Sequence, residues 1–84
     1  NGARFTVLQN FNGKLKIEYQ LAEDIKQAKI VMLDAWGHLL KSEDILGTKG
    51  THQLDVYPYA SGLYLVYLMC NGRVEQIDKL IIQK

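Results

Sequence analysis

The sequence predicts an all-β domain: an immunoglobulin-like antiparallel β-sandwich of about seven strands. Three observations carry that expectation. Apolar residues recur with period two along most of the chain. Turn-forming residues interrupt the pattern at roughly ten-residue intervals, the spacing of short sandwich strands. No segment sustains a convincing helical period.

The elements follow in order. A short strand over Arg4 to Leu8 precedes a turn at Asn10-Phe11-Asn12-Gly13. Lys14 to Leu21 then alternates without a break. Leu15, Ile17, Tyr19 and Leu21 point one way and Lys14, Lys16, Glu18 and Gln20 the other, as in a half-buried antiparallel strand. Leu21 to Asp24 reads as a weak helical or loop connection. Lys26 to Asp34 is the next strand, with Ala28, Ile30 and Met32 on one face. A helix over Leu21 to Leu33 is the competing reading, opposed by the β-branched Ile30 and Val31 and by the turn that follows. In Asp34-Ala35-Trp36-Gly37 the aspartate bonds its own turn and Gly37 supplies positive φ. His38 to Glu43 returns as a strand. Gly47 and Gly50 bracket a loop, Thr51 to Val56 forms another strand, and Pro58 ends it. Gly62 to Cys70 is the longest apolar strand. Asn71-Gly72 is the strongest hairpin signal in the chain, and Val74 to Lys84 closes the sheet.

Composition bounds the function. The 84 residues make one domain the expectation, and 48% apolar with 23% charged residues is a globular balance. A net charge of +1 without a basic block offers no electrostatic support for binding nucleic acid or an anionic membrane. No apolar run reaches the roughly 18 residues of a membrane-spanning helix. One cysteine, Cys70, permits no internal disulfide. Asn1-Gly2-Ala3-Arg4 carries no initiator Met, so residues 1–84 read as a processed or excised piece of something larger.

Catalytic constellations do not emerge, and the expectation is a protein that is not an enzyme and holds no cofactor or metal. His38 and His52 lack metal-ligand spacing with Cys70 or each other; both flank predicted loops and read as exposed. Cys70 lacks basic neighbours that would activate a thiol and reads as a small packed side chain. Glu23-Asp24 and Glu43-Asp44 are adjacent acids of the kind usually solvated in loops, unlike a glycosidase pair set across a cleft. Trp36, Tyr57 and Tyr59 lie in or near turns, where exposed rings could stack sugars. The alternative is that Trp36 folds back over the sandwich edge and Tyr59 plugs its end.

Gly62 to Cys70 poses the sharper question, because residues 63–70 contain no charge. Tyr64, Val66, Leu68 and Cys70 form one face; Leu63, Leu65, Tyr67 and Met69 form the other, and only one can enter a sandwich core. The residues alone leave the choice open. Val31 and Leu33 in the third strand and Ile81 in the last present a similar excess. A contiguous apolar patch on the order of several hundred Å² marks a contact surface unless neighbouring Lys and Tyr side chains shield it. Its cover would be another domain of the parent protein, a second copy or a partner machine.

The ordered motifs over residues 14 to 84 resemble the type A C-terminal sorting domains of the Bacteroidetes type IX secretion system. They are Ile30-Val31-Met32-Leu33-Asp34-Ala35-Trp36-Gly37-His38-Leu39-Leu40, His52-Gln53-Leu54-Asp55-Val56, Ser61-Gly62-Leu63-Tyr64-Leu65-Val66, Asn71-Gly72-Arg73 and Lys79-Leu80-Ile81-Ile82-Gln83-Lys84. Each alone is weak and the ordered set is fairly specific. The resemblance places Tyr64, Val66 and Leu68 inward and leaves Val31, Leu33, Leu63, Leu65, Tyr67, Met69 and Ile81 outward. It makes Asp34, Gly37, Gly62, Tyr64, Asn71 and Gly72 the turn-setting residues. It implies that residues 1–84 are the C-terminal domain of a larger secreted protein, a sorting signal that takes a cargo from the periplasm across the outer membrane to the surface or medium, read by an outer-membrane translocon and removed by a sortase-type peptidase. Lys79, Leu80, Ile81, Ile82 and Lys84 are the expected recognised end, with strand addition as the mode. An accessory immunoglobulin-like binding or spacer module of a surface protein, with glycans as one candidate ligand, is the alternative. A homodimer joined through the outer face is the third.

Overall fold

The computed structural model describes residues 3–9 and 13–83; residues 10–12 of the first expected turn and Lys84 lie outside them. Seven strands are present, and no helix occurs among the described residues. They are β1 (Arg4–Gln9), β2 (Lys14–Gln20), β3 (Ala28–Asp34), β4 (Leu39–Ile45), β5 (Lys49–Asp55), β6 (Gly62–Cys70) and β7 (Arg73–Ile82). They build a three-stranded sheet, β1-β2-β5, and a four-stranded sheet, β4-β3-β6-β7, with every pairing antiparallel. This is the expected immunoglobulin-like sandwich.

Short connections within a sheet explain the pairing. β3 and β4 are joined through a tight turn at residues 34–38 and therefore pair with each other. β6 and β7 are joined by Asn71-Gly72, both with positive φ (52° and 81°), as a two-residue hairpin whose twist matches the strands requires. Asn71 does more than turn the chain. Its side-chain oxygen accepts hydrogen bonds from the backbone N–H groups of Lys26 (2.9 Å) and Gln27 (3.2 Å), and its own N–H donates to the Gln27 carbonyl. The β2–β3 connection is thereby tied to the hairpin.

The core lies between the sheets and follows the period-two pattern. Leu15, Ile17 and Leu54 from one sheet meet Ile30, Met32, Val66 and Leu68 from the other, all essentially inaccessible to water. Tyr64 and Cys70 share the inward face of β6, so the orientation implied by the resemblance holds. Tyr64 also closes the crossover between the sheets: its hydroxyl donates to the Ala60 carbonyl at 2.6 Å. A tyrosine near the start of the sixth strand, bonded to backbone a few residues upstream, is the tyrosine corner of immunoglobulin-like sandwiches. Tyr59 packs beside it, ring centroids 6.1 Å apart, and plugs this end as one expectation had it.

The open sides between edge strands are sealed by polar groups. At one side His52 Nε2 on β5 lies 2.7 Å from Glu43 Oε1 on β4, joining the two sheets. His52 was expected beside a loop and exposed. It sits inside β5 because the strand begins at Lys49, before the expected Thr51, and its position in the strand turns it toward the core side, two residues from buried Leu54. At the other side the Gln76 side chain of β7 bonds both backbone groups of Phe5 in β1.

Candidate docking surface

Registers across the four-stranded sheet place its outward residues in rows. Leu39, Leu33, Leu65 and Lys79 form one; Ser42, Val31, Tyr67 and Ile77 the next; Asp44, Lys29, Met69 and Val74 a third; Leu63 and Ile81 extend the face toward the end of β7. The face is largely aliphatic, with Lys29, Asp44 and Lys79 as its charged members. The outer face of the three-stranded sheet is different in kind. Arg4, Thr6, Lys16, Glu18, Lys49 and Thr51 are all exposed there, and Leu8 is its one large exposed apolar side chain among the described residues.

The outward set named from the sequence does face outward, but it is not uniformly open. Val31 is 8% exposed and is buried in place, because β3 is an interior strand and Tyr67 stands beside it in register. Leu33, Leu65, Tyr67 and Met69 are half-buried. Leu63 and Ile81 are open, and so are three residues the sequence reading did not place in the outward set: Leu39, Val74 and Ile77. Val74 was hidden by a register shift. Gln76 lies opposite Leu68 while Val74 lies opposite Met69, so Glu75 is an extra residue and reverses the alternation that would otherwise turn Val74 inward with Leu80 and Ile82; Ile77 keeps step with Lys79 and Ile81.

The last strand divides in the same way. Leu80 and Ile82 face the core, at 3% and 6% exposure, while Lys79 and Ile81 face outward. Of the five residues expected at the recognised end, Lys79 and Ile81 therefore present side chains on the folded surface. Leu80 and Ile82 do not, and Lys84 lies outside the described residues. β7 is an edge strand, the position that strand addition requires.

The β3–β4 turn is held by its own aspartate. One Asp34 carboxylate oxygen accepts from the backbone N–H groups of Trp36 and His38, each at 2.9 Å, and the other lies 2.9 Å from His38 Nδ1. Desolvation pushes the Asp34 carboxyl upward, but the hydrogen bonds from His38 and Trp36 outweigh it and hold the group below the ordinary carboxylate value. Gly37 takes φ of 90°, which an L side chain rarely adopts. Trp36 is 83% exposed, so it does not fold back over the sandwich edge. The pinned backbone holds it away from the core. Tyr57 is exposed at the same end.

Buried Cys70 has its thiol pushed up by desolvation and, secondarily, by the negative charge of Glu75. That is a packed group, unlike an activated nucleophile. No helix of the described residues is long and apolar enough to cross a membrane.

A family model described as the secretion system C-terminal sorting domain matches residues 11–83. The chain belongs to this family. It is a type IX secretion sorting domain, of a family that carries sorting signals and is not a catalytic one. Comparisons with curated proteins and with solved structures found no match. For the sorting domain, membership implies a parent cargo exported across the outer membrane to the cell surface or the medium, and engagement with the secretion machinery. Its turn-setting residues now have physical roles: Asp34 and Gly37 shape the β3–β4 turn, Gly62 opens β6, Tyr64 closes the crossover, and Asn71-Gly72 makes the last hairpin.

Proposed function

We propose that this domain directs a cargo through the type IX system as a folded signal, with the outer-membrane translocon reading the outward side of β7 at Lys79 and Ile81. The observation that supports this most is the division of the last strand. Its inward residues hold the sandwich together, and its outward residues lie beside Leu63 and Leu65 on an apolar face. Backbone pairing at an edge strand supplies affinity, and alternate side chains supply specificity. A sortase-type peptidase then separates the domain from the cargo, which is released or joined to lipopolysaccharide.

The test is an export assay. Residues 1–84 are fused behind a periplasm-targeted fluorescent protein in a type IX-competent bacterium. Removing Lys79 to Lys84 would also remove core residues Leu80 and Ile82, so the informative variant is Lys79→Glu with Ile81→Asp. The intact fusion is expected outside the cell. The double variant is expected in the periplasm with its fold retained by circular dichroism. Periplasmic retention of the intact fusion would overturn the reading.

The exposure of Trp36 and Tyr57 favours a second reading, an accessory module that stacks glycans. It predicts that Trp36→Ala or Tyr57→Ala weakens binding in a glycan titration. Domain titrations that show no glycan-dependent change would remove it.

A further inference from the structure

Exposed apolar side chains gather at one end of the sandwich. Nine large ones are exposed among the described residues. Six of them, Leu8, Trp36, Leu39, Tyr57, Leu63 and Ile81, lie at the end where β7 finishes, as the strand registers show. Leu46 and Val74 lie at the opposite end and Ile77 between.

Trp36 is the most exposed of the six, and its turn is already ordered. Asp34 bonds the backbone of Trp36 and His38, the Gly37 N–H donates to the Asp34 carbonyl at 3.1 Å, and the Asp34 N–H donates to the His38 carbonyl at 3.0 Å. A turn fixed beforehand loses little backbone entropy when its side chain is bound. Tryptophan is among the residue types that most often dominate a protein interface. Of the large exposed side chains on the outward side of the four-stranded sheet at this end, Leu39, Leu63 and Ile81 are aliphatic, and Lys79 is the charged one among them. A sugar site needs hydrogen-bonding groups beside its ring. The carboxylate of its own turn, Asp34, is committed to three hydrogen bonds inside the turn. The composition of this end therefore favours a protein cleft over a glycan.

We infer that Trp36 is the anchor by which a protein of the secretion machinery, offering an apolar cleft, holds the end of the domain where β7 finishes. This rests on the sorting function proposed above.

Trp36 is the only tryptophan in the chain, so its fluorescence reports its own surroundings. Its exposure makes substitution a test of contact, because exposed positions seldom carry the fold. In the export assay Trp36→Ala is expected to lower the exported fraction about tenfold with an unchanged unfolding midpoint, and Trp36→Phe to restore part of it. Leu46→Ser, at an equally exposed site on the opposite end, is expected to export like the intact fusion. Full export of Trp36→Ala beside full export of the intact fusion would overturn the anchor and leave the sorting function standing. Retention of the intact fusion would overturn both. A shift in Trp36 emission on adding a soluble neutral β-glucan would assign the residue to a glycan, and a concentration-dependent shift matched by dimer sedimentation would assign it to a second copy; either result overturns the anchor.

Discussion

Gln76 holds Phe5 by both of its backbone groups: its side-chain Nε2 donates to the Phe5 carbonyl at 2.8 Å, and its Oε1 accepts from the Phe5 N–H at 3.3 Å. An amide side chain on β7 thus takes the place a neighbouring strand would occupy on the edge of β1. Unprotected edges invite pairing with other chains, and this bond pair blocks one. Gln76→Ala is expected to cost about 1–3 kcal/mol and to speed deuterium exchange at the Phe5 amide. Denaturant unfolding with an unchanged slope measures the first and hydrogen exchange the second. An unaltered exchange rate would show that the contact does not guard the edge.

Tyr64→Phe isolates the tyrosine corner, because only the hydroxyl bond to Ala60 is removed from a ring that stays buried. A loss of about 0.5–1.5 kcal/mol is expected, read from the urea midpoint. The Ala60 carbonyl lies in the exposed loop, where water can replace the lost donor, so the cost stays at that of one hydrogen bond.

The Asp34 turn carries a pH dependence of defined sign. A carboxyl held below its ordinary value in the folded protein contributes stability that is present above that value and lost as pH falls through the depressed one. The part of the acid transition in Trp36 emission that depends on Asp34 is therefore expected to have its midpoint below the ordinary carboxylate value. Asp34→Asn keeps an acceptor oxygen but loses the charge, and should abolish that transition. A midpoint at or above the ordinary carboxylate value would contradict the hydrogen-bond geometry.

Cys70 supplies the opposite sign. Its thiol is raised by burial and then by Glu75, so it contributes stability that is fully present below the ordinary thiol value and lost as pH rises through the folded one. Alkylation by iodoacetamide is expected to be slow in the native protein and fast in denaturant. Cys70→Ala should flatten the alkaline limb of the stability profile. Rapid native labelling would show that the end of β6 opens readily.

The fold was legible because each strand declares itself locally. Lys14 to Gln20 alternates so strictly that Leu15, Ile17 and Tyr19 had one place to go. Asn71-Gly72 dictated its hairpin through φ alone. β6 shows where local pattern stops. Both of its faces are apolar, so period two could not choose between them, and only the resemblance put Tyr64 inward. What was not legible depended on other strands. Val31 faces outward yet is covered, because β3 is flanked on both sides. Val74 was hidden by the extra residue at Glu75, which reverses its face. His52 was placed beside a loop because Gly50, a loop signal in sequence, lies within β5, where a Cβ would sit 3.1 Å from the Tyr19 hydroxyl. That approach is tighter than most side-chain contacts, and it joins sheet partners distant in sequence. The exposure of Trp36 depended on Asp34 pinning the turn, which identity alone foreshadowed only in part.

The most direct test compares where a periplasm-targeted fluorescent protein ends up with and without residues 1–84, in a type IX-competent strain and in one lacking the machinery. A folded sorting signal predicts fluorescence at the surface or in the medium only when both the domain and the machinery are present. Export without the machinery, or retention of the fusion in the competent strain, would contradict it.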